Sequence, residues 1–242
     1  MSNLPTTNRT HFNNVASTHH TNFGPLIETI TEEIKDRHTW ISRRLATNPH
    51  HEHLGESESI QLLDYACGAG TATKSMTTGP PPIHNTAIGL DLSENMVAGY
   101  NNWARVHGCP GEKMRRIVLI YLTAVQLELM AWGSLTVAGS VGGCLEPGGV
   151  CVVVDGVPTP TPTPGEDMET ADLRAVLLPE QLDVLETINK HGFTEEEMRA
   201  LYQGAGLGTN FEYEVIKRPL KFTMFGHWFS RRGFIARGEM TS

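Results

Sequence analysis

Apolar positions along this chain follow two periods. From Leu26 to Leu45 the apolar residues Leu26, Ile27, Ile30, Ile34, Ile41 and Leu45 recur mostly three, four and seven apart, the spacing of one helix face. A helix is therefore expected over 25–46. The preceding 1–24 is polar and rich in Asn, Thr and His, and reads as a flexible arm. Asn48 to Ser59 is a polar break with Pro49 and Gly55. These features divide the chain into an N-terminal helical cap or arm at 1–46, a linker at 47–59 and a main domain at 60–242.

The main domain opens with IQLLDYA at 60–66, a short apolar run. A Gly-rich turn, CGAGT, follows, and then helix-compatible TATKSM. GPPP at 79–82 is a firm break. Ile83 to Leu92 reads as a second strand and Ser93 to His107 as a second helix capped by Ser93. The stretch 114–144 resists assignment. LEPGG at 145–149 is a turn, and VCVVVD at 150–155 is a buried strand, apolar on both faces. PTPTPTPGED at 158–167 is an extended Pro-rich loop. Helices are expected near 172–188 and 194–205, the second with a Thr194–Glu197 capping box. Phe211–Ile216, Phe222–Phe225 and Gly233–Ala236 read as closing antiparallel strands, because their connections are too short for crossovers. The predicted class is α/β: a Rossmann-like, doubly wound, mostly parallel sheet with an antiparallel C-terminal hairpin and an N-terminal helical cap.

Composition narrows the partners. Of 242 residues, 19 are Lys or Arg and 27 are Asp or Glu, a net charge of −8. That disfavours nucleic acid or an anionic membrane as partner. The four cysteines, Cys67, Cys109, Cys144 and Cys151, form no C-x-x-C pair, which excludes a zinc ribbon or thioredoxin-like motif; His50, His51 and His53 could bind a metal but read better as solvated surface, so no metal site is expected. No run approaches eighteen apolar residues, and the N-terminus has no apolar h-region. A cytoplasmic protein with reduced thiols is the expectation.

The chemistry concentrates at the end of the first strand. A Gly-rich turn between strand and helix lets backbone approach a ligand closely, with helix N–H groups behind it. Here it is Cys67-Gly68-Ala69-Gly70-Thr71. Asp91 stands 21 residues after Gly70, at the end of the next strand, where a carboxylate accepts both ribose hydroxyls of a nucleoside. Alone, the glycines would make an ordinary tight turn, and Asp91 would favour a helix dipole. Together they are far more specific. A nicotinamide fingerprint needs Gly or Ala where this chain has Thr73, and Asp64 lies four residues before Gly68.

LLDYACGAGT, GLDLSENMV and LEPGG followed by VCVVVD resemble the class I S-adenosylmethionine-dependent methyltransferases, in particular their small-molecule branch common in fungi. Asp64, Gly68 and Gly70 match the first motif, an acid, three residues, then G-x-G. Asp91, Leu92, Ser93 and Met96 match the second. HFNNVAS resembles the family's N-terminal cap, and HGFTEEEMRALYQGAGL its last helix. The resemblance covers 60–110 and 145–207 well, and 11–45 loosely. It implies S-adenosyl-L-methionine as cofactor, bound by Asp64, Ala66, Gly68, Gly70, Asp91, Leu92 and Met96. The Gly68 and Gly70 backbone would lie against the methionine part. Asp64 would orient its amino group, Asp91 would hold the ribose, and Leu92 would pack on adenine. His19 and His20 stand where the family often has a Tyr-Asp pair closing over the cofactor. A histidine there can serve as general base, which makes both catalytic candidates.

Two features depart from the family. No Asp or Asn lies between Ile117 and Gln126, where the family contacts adenine. Only 26 residues separate Val118 from Leu145, too few for strand, crossover helix and turn. Leu119 to Met130 is rich in apolar residues that need covering, by the N-terminal helices or by a second copy in a homodimer. His50, His51 and His53 read as solvated loop, and Cys67 as small-residue packing. The expected function is methyl transfer to a small organic acceptor in secondary metabolism. The alternative is a methyltransferase-like protein that binds the cofactor without transferring methyl, as a rearrangement or elimination catalyst or a scaffold.

Overall fold

The computed structural model describes residues 4–42, 61–77, 86–107, 145–158, 192–224 and 226–241. The linker at 47–59 with its three histidines, the stretch 114–144, most of the Pro-rich loop and the helix expected over 172–188 lie outside the described residues.

The N-terminal arm is helical, against the compositional expectation. Helix α1 spans Leu4–Val15, α2 spans His19–Asp36, and α3 is a single turn, His38–Ile41. Pro25 lies inside α2. Proline suits the first helical position and removes one interior hydrogen bond, so local pattern starts the helix there. Packing carries it six residues further back. Ile30, Ile34 and Ile41 are buried in one apolar cluster with Leu62, Ala72, Met76, Ala87, Val152, Val154, Leu220 and Ile235. The cap therefore shares a core with the main domain.

Strand β1 (Gln61–Tyr65) pairs in parallel with β2 (Thr86–Leu90), in register from Gln61–Thr86 to Tyr65–Leu90. Between them runs the seven-residue helix α4 (Thr71–Thr77), and after them α5 (Glu94–Val106). Ser93 caps α5 by accepting the Met96 N–H, as its sequence implies. The later elements are β3 (Val150–Gly156), α6 (Glu195–Gly204), β4 (Thr209–Val215), β5 (Leu220–Met224), β6 (His227–Arg231) and β7 (Gly233–Glu239). The Thr194–Glu197 capping box is present at α6. Among the described residues β3 pairs only with β7, antiparallel, and β7 pairs antiparallel with β4 on its other side.

Alternation along these strands separates two helical layers. Val152, Val154 and Ile235 face the cluster under α2 and α4. Cys151, Val153, Phe234 and Ala236 face α6 through Met198 and Tyr202. The period of two in strands makes this division automatic. A fourth C-terminal strand, β6, goes beyond the three expected. It forms a hairpin with β5 that interrupts the β4–β7 pairing and packs on α2, where Phe222 stacks on Phe23 at 5.8 Å. In its sequence, HWFSR, Phe229 is the buried residue among those whose burial is described, too little apolar signal to read as a strand.

Charge fixes the cap to the sheet edge. Glu33 is 3 % exposed yet ionised partners flank it: Arg37 binds one carboxylate oxygen and Arg218 Nε lies 3.0 Å from the other. Buried Arg237 donates to the Trp40 carbonyl at 2.8 Å.

Candidate functional site

The C-terminal ends of two adjacent parallel strands, β1 and β2, build the site. Chain leaving β1 must reverse into α4 within Ala66 to Gly70, and the backbone does so left-handed. Ala66, Gly68 and Gly70 have φ of 56°, 50° and 92°. Cys67 N–H donates to the Leu90 carbonyl at 3.0 Å, tying the turn to β2. The two glycines serve different ends. A side chain built on Gly68 meets nothing within 4 Å, so its face is open to a ligand. One built on Gly70 meets the Tyr100 ring at 2.7 Å, so Gly70 is required by packing from α5.

Asp91, just past β2, holds the turn. One carboxylate oxygen accepts the Gly68 N–H at 2.9 Å and the other accepts the Ser93 N–H at 2.8 Å. A carboxylate oxygen has two lone pairs, so each retains acceptor capacity. Leu90 and Leu92 flank Asp91, each 46 % exposed. The arrangement is an open glycine face, a carboxylate with spare acceptors and uncovered apolar surface. That suits a ligand with vicinal hydroxyls and a flat apolar ring, and these residues fit S-adenosylmethionine. Met96 lies elsewhere: it is 2 % exposed, inside the packing of α5, with its N–H on the Ser93 hydroxyl.

Asp64 sits beneath the turn. Its side chain is fully buried, and one oxygen accepts both the Thr73 N–H, at 3.1 Å, and the Thr73 hydroxyl, at 2.7 Å. The carboxylate thus caps α4 from below, and Thr73 N–H is not offered to a ligand. The other oxygen is buried without a hydrogen-bond partner. Burial raises the Asp64 pKa to about 6; the Thr73 hydrogen bonds oppose that shift and the nearby Asp91 charge adds to it. Cys67 is buried too, and burial with the Asp64 and Asp91 charges pushes its thiol far up. It is an unreactive packing residue.

The N-terminal cap reaches this site through α1. Asn13 Oδ1 accepts the Ser93 hydroxyl at 2.7 Å and the Asn95 N–H at 3.2 Å, while its Nδ2 donates to Glu94 at 2.9 Å. Arg9 pairs with Glu94. These contacts hold α1 on the first turn of α5, directly behind Asp91, and explain why so polar a segment is helical. The sequence motif flagged the region but not Asn13 as its anchor.

His19 and His20 part company. His20 is exposed. His19 stacks on Phe23 at 4.9 Å, and its Nδ1 is buried without a partner. Burial, reinforced by the His20 and Lys74 charges, lowers its pKa to about 4. A general base titrating near neutrality was expected; the environment makes His19 a neutral imidazole of low basicity. Among the described residues no group of His, Cys, Asp and Glu could hold a metal ion, and no helix is long and apolar enough to cross a membrane.

No protein-family profile matches the chain, and no curated protein matches it in sequence. Solved structures do. An S-adenosylmethionine-dependent methyltransferase from Anabaena variabilis superposes with a TM-score of 0.58 at 17 % identity, covering 99 % of this chain and 96 % of that one. Magnesium protoporphyrin IX methyltransferase from Synechocystis, solved with bound S-adenosylmethionine, gives 0.54 at 11 % identity over 99 % of each chain. The same enzyme with S-adenosylhomocysteine gives 0.55, again at 11 % identity, covering 99 % of this chain and all of that one. At such identity the likeness speaks for architecture, and the chain has the Rossmann-like fold of S-adenosylmethionine-dependent methyltransferases.

Proposed function

We propose that this chain binds S-adenosyl-L-methionine and transfers its methyl group to a small organic acceptor. The observation that carries the reading is the pairing of Gly68 with Asp91. An open backbone face and a carboxylate with unused lone pairs stand 2.9 Å apart at the ends of two parallel strands. When bound, the cofactor supplies an electrophilic sulfonium methyl. The chain's own task is to bind and align. Asp91 accepts the ribose hydroxyls, the Gly68 backbone lies along the methionine portion, and exposed Leu92 covers one adenine face. The N-terminal helices, held behind Asp91 by Asn13, would shield that side of the cofactor from water. A net charge of −8 favours a small acceptor over nucleic acid, and secondary metabolism is the setting proposed for it. A cytoplasmic location and a homodimer belong to the same reading.

His19 favours a second reading. An imidazole held near a pKa of 4 is a poor base at neutral pH, so an acceptor needing deprotonation would have no help from it. The chain would then bind cofactor without transferring methyl, as a rearrangement or elimination catalyst or a scaffold. Titration calorimetry with S-adenosylmethionine and S-adenosylhomocysteine tests the common ground: both bind, and absence of heat with either overturns the proposal. Methyl transfer from labelled cofactor to a panel of phenols, carboxylic acids, amines and thiols separates the readings. Labelled product supports transfer, and binding without product for any class supports the second.

A further inference from the structure

Two turns into α5, Tyr100 does three things at once. Its ring fills the space a side chain would need at Gly70, 2.7 Å away, and at Gly89, 3.0 Å away. Gly89 belongs to β2 and Gly70 to the glycine turn, so one ring packs both halves of the site. It is 3 % exposed. Its hydroxyl lies 3.2 Å from Thr73 Oγ1. Thr73 spends its single hydroxyl proton on Asp64 at 2.7 Å, so it can only accept from Tyr100. With Asp64 ionised, these distances allow a chain in which Tyr100 O–H donates to Thr73 Oγ1 and the Thr73 hydroxyl donates to the Asp64 carboxylate. Hydrogen bonds in such a series polarise and strengthen one another.

We propose that Tyr100 is a positioning residue for the cofactor turn, setting the height of Gly68 and Gly70 above β1 through the Tyr100–Thr73–Asp64 relay. The inference rests on the proposed cofactor reading. The turn is clamped at two points by the same helix. Asp91, itself fixed by the Ser93 N–H, holds Gly68 just ahead of α5, and Tyr100 packs against Gly70 and reaches Thr73 two turns on. Five residues with three left-handed backbone conformations have no regular ladder of their own, so their geometry is set from outside. The groups facing Asp64 are Thr73 of α4 and, as a like charge, Asp91 after β2. Cys67 of the turn faces it as an un-ionised thiol.

The test compares wild type, Tyr100→Phe, Thr73→Val and the double variant by calorimetry with S-adenosylhomocysteine from pH 5 to 8. Tyr100→Phe keeps the ring and removes only the hydroxyl, so folding is preserved, as circular dichroism will verify. The expected result is a three- to tenfold loss of affinity, the worth of about one hydrogen bond. The pH dependence of binding moves to higher pH, because the carboxylate loses support for its charge. The double variant should be no weaker than Thr73→Val, since the relay is already cut at its middle. A merely structural Tyr100 would lower the melting temperature and leave affinity, pH profile and additivity unchanged, and that outcome overturns the proposal. If wild type binds the ligand and Tyr100→Phe binds equally at every pH, this inference alone falls. If wild type fails to bind, the cofactor reading falls and this one with it.

Discussion

Replacing Asp91 by Ala separates what that carboxylate does for the fold from what it does for a ligand. Its two oxygens accept the Gly68 and Ser93 N–H groups at 2.9 and 2.8 Å. A hydrogen bond to a charged group contributes about 1.5–3 kcal/mol. Asp91 is half-buried, so water recovers part of each bond in the variant. Removing its charge also relieves the buried Asp64. The expected cost to stability is about 2–3 kcal/mol, measured by urea unfolding followed through tryptophan fluorescence. The ligand loses more, because two ribose hydroxyls lose a charged acceptor and the Gly68 face is no longer held. That loss is about 2–4 kcal/mol, or thirty- to several-hundredfold in the dissociation constant for S-adenosylhomocysteine. Asp91→Asn should fall between, since an amide presents one acceptor and turns a donor toward the other N–H. A folded Asp91→Ala protein that binds with wild-type affinity would refute the assignment of Asp91 to the ribose. Unchanged stability would refute its role in holding the turn.

Three further outcomes follow from the same geometry. Asn13→Ala leaves the buried Ser93 hydroxyl proton without its acceptor, and should cost about 1–2 kcal/mol in chemical denaturation; it should also speed amide exchange in α1, and unchanged exchange there would contradict the clamp. Ala66→Gly relieves a left-handed alanine at φ 56° but adds freedom to the unfolded chain, for a net gain of up to about 1 kcal/mol and a higher melting temperature; a lower one would mean that the Ala66 methyl matters more to packing than its backbone strain. Asp64, with its pKa raised to about 6, binds a proton more tightly folded than unfolded, so its contribution to stability falls as pH rises from about 4 to 6 and stays low above. Relative to Asp64→Asn, wild type should lose about 3 kcal/mol between pH 4 and 7; a pH-independent difference in urea unfolding would show that the carboxylate titrates normally.

Much of the site is local and therefore legible in the sequence. Strand, glycine turn and helix follow one another within Gln61–Thr77, and each signal lies within a few residues of its effect. Ser93 and Thr194 announce helix starts because a cap bonds within its own first turn. Asp91 is readable because the length of a β-α-β unit places the next strand's end beside the turn. The antiparallel closing strands follow from connections too short to cross over.

The sequence alone could not decide what depends on residues far apart in the chain. Residues 4–24 look like solvated arm because helicity there comes from Asn13 and Arg9 meeting a helix some eighty residues away, and no local propensity records that. Gly70 looks like a ligand-contact glycine; only folding brings Tyr100 against it and supplies a steric reason. His19 carries the near-neutral titration of any exposed histidine until burial beside Phe23 and Lys74 takes its proton away. The family resemblance makes Asp64 a ligand contact, yet one of its oxygens is spent on Thr73 and the other is buried without a partner. Patterning fixes which residues turn inward, because a period of two or 3.6 is a property of the chain. Which buried groups meet, and which protons they keep, is a property of the distances that only the packed structure sets.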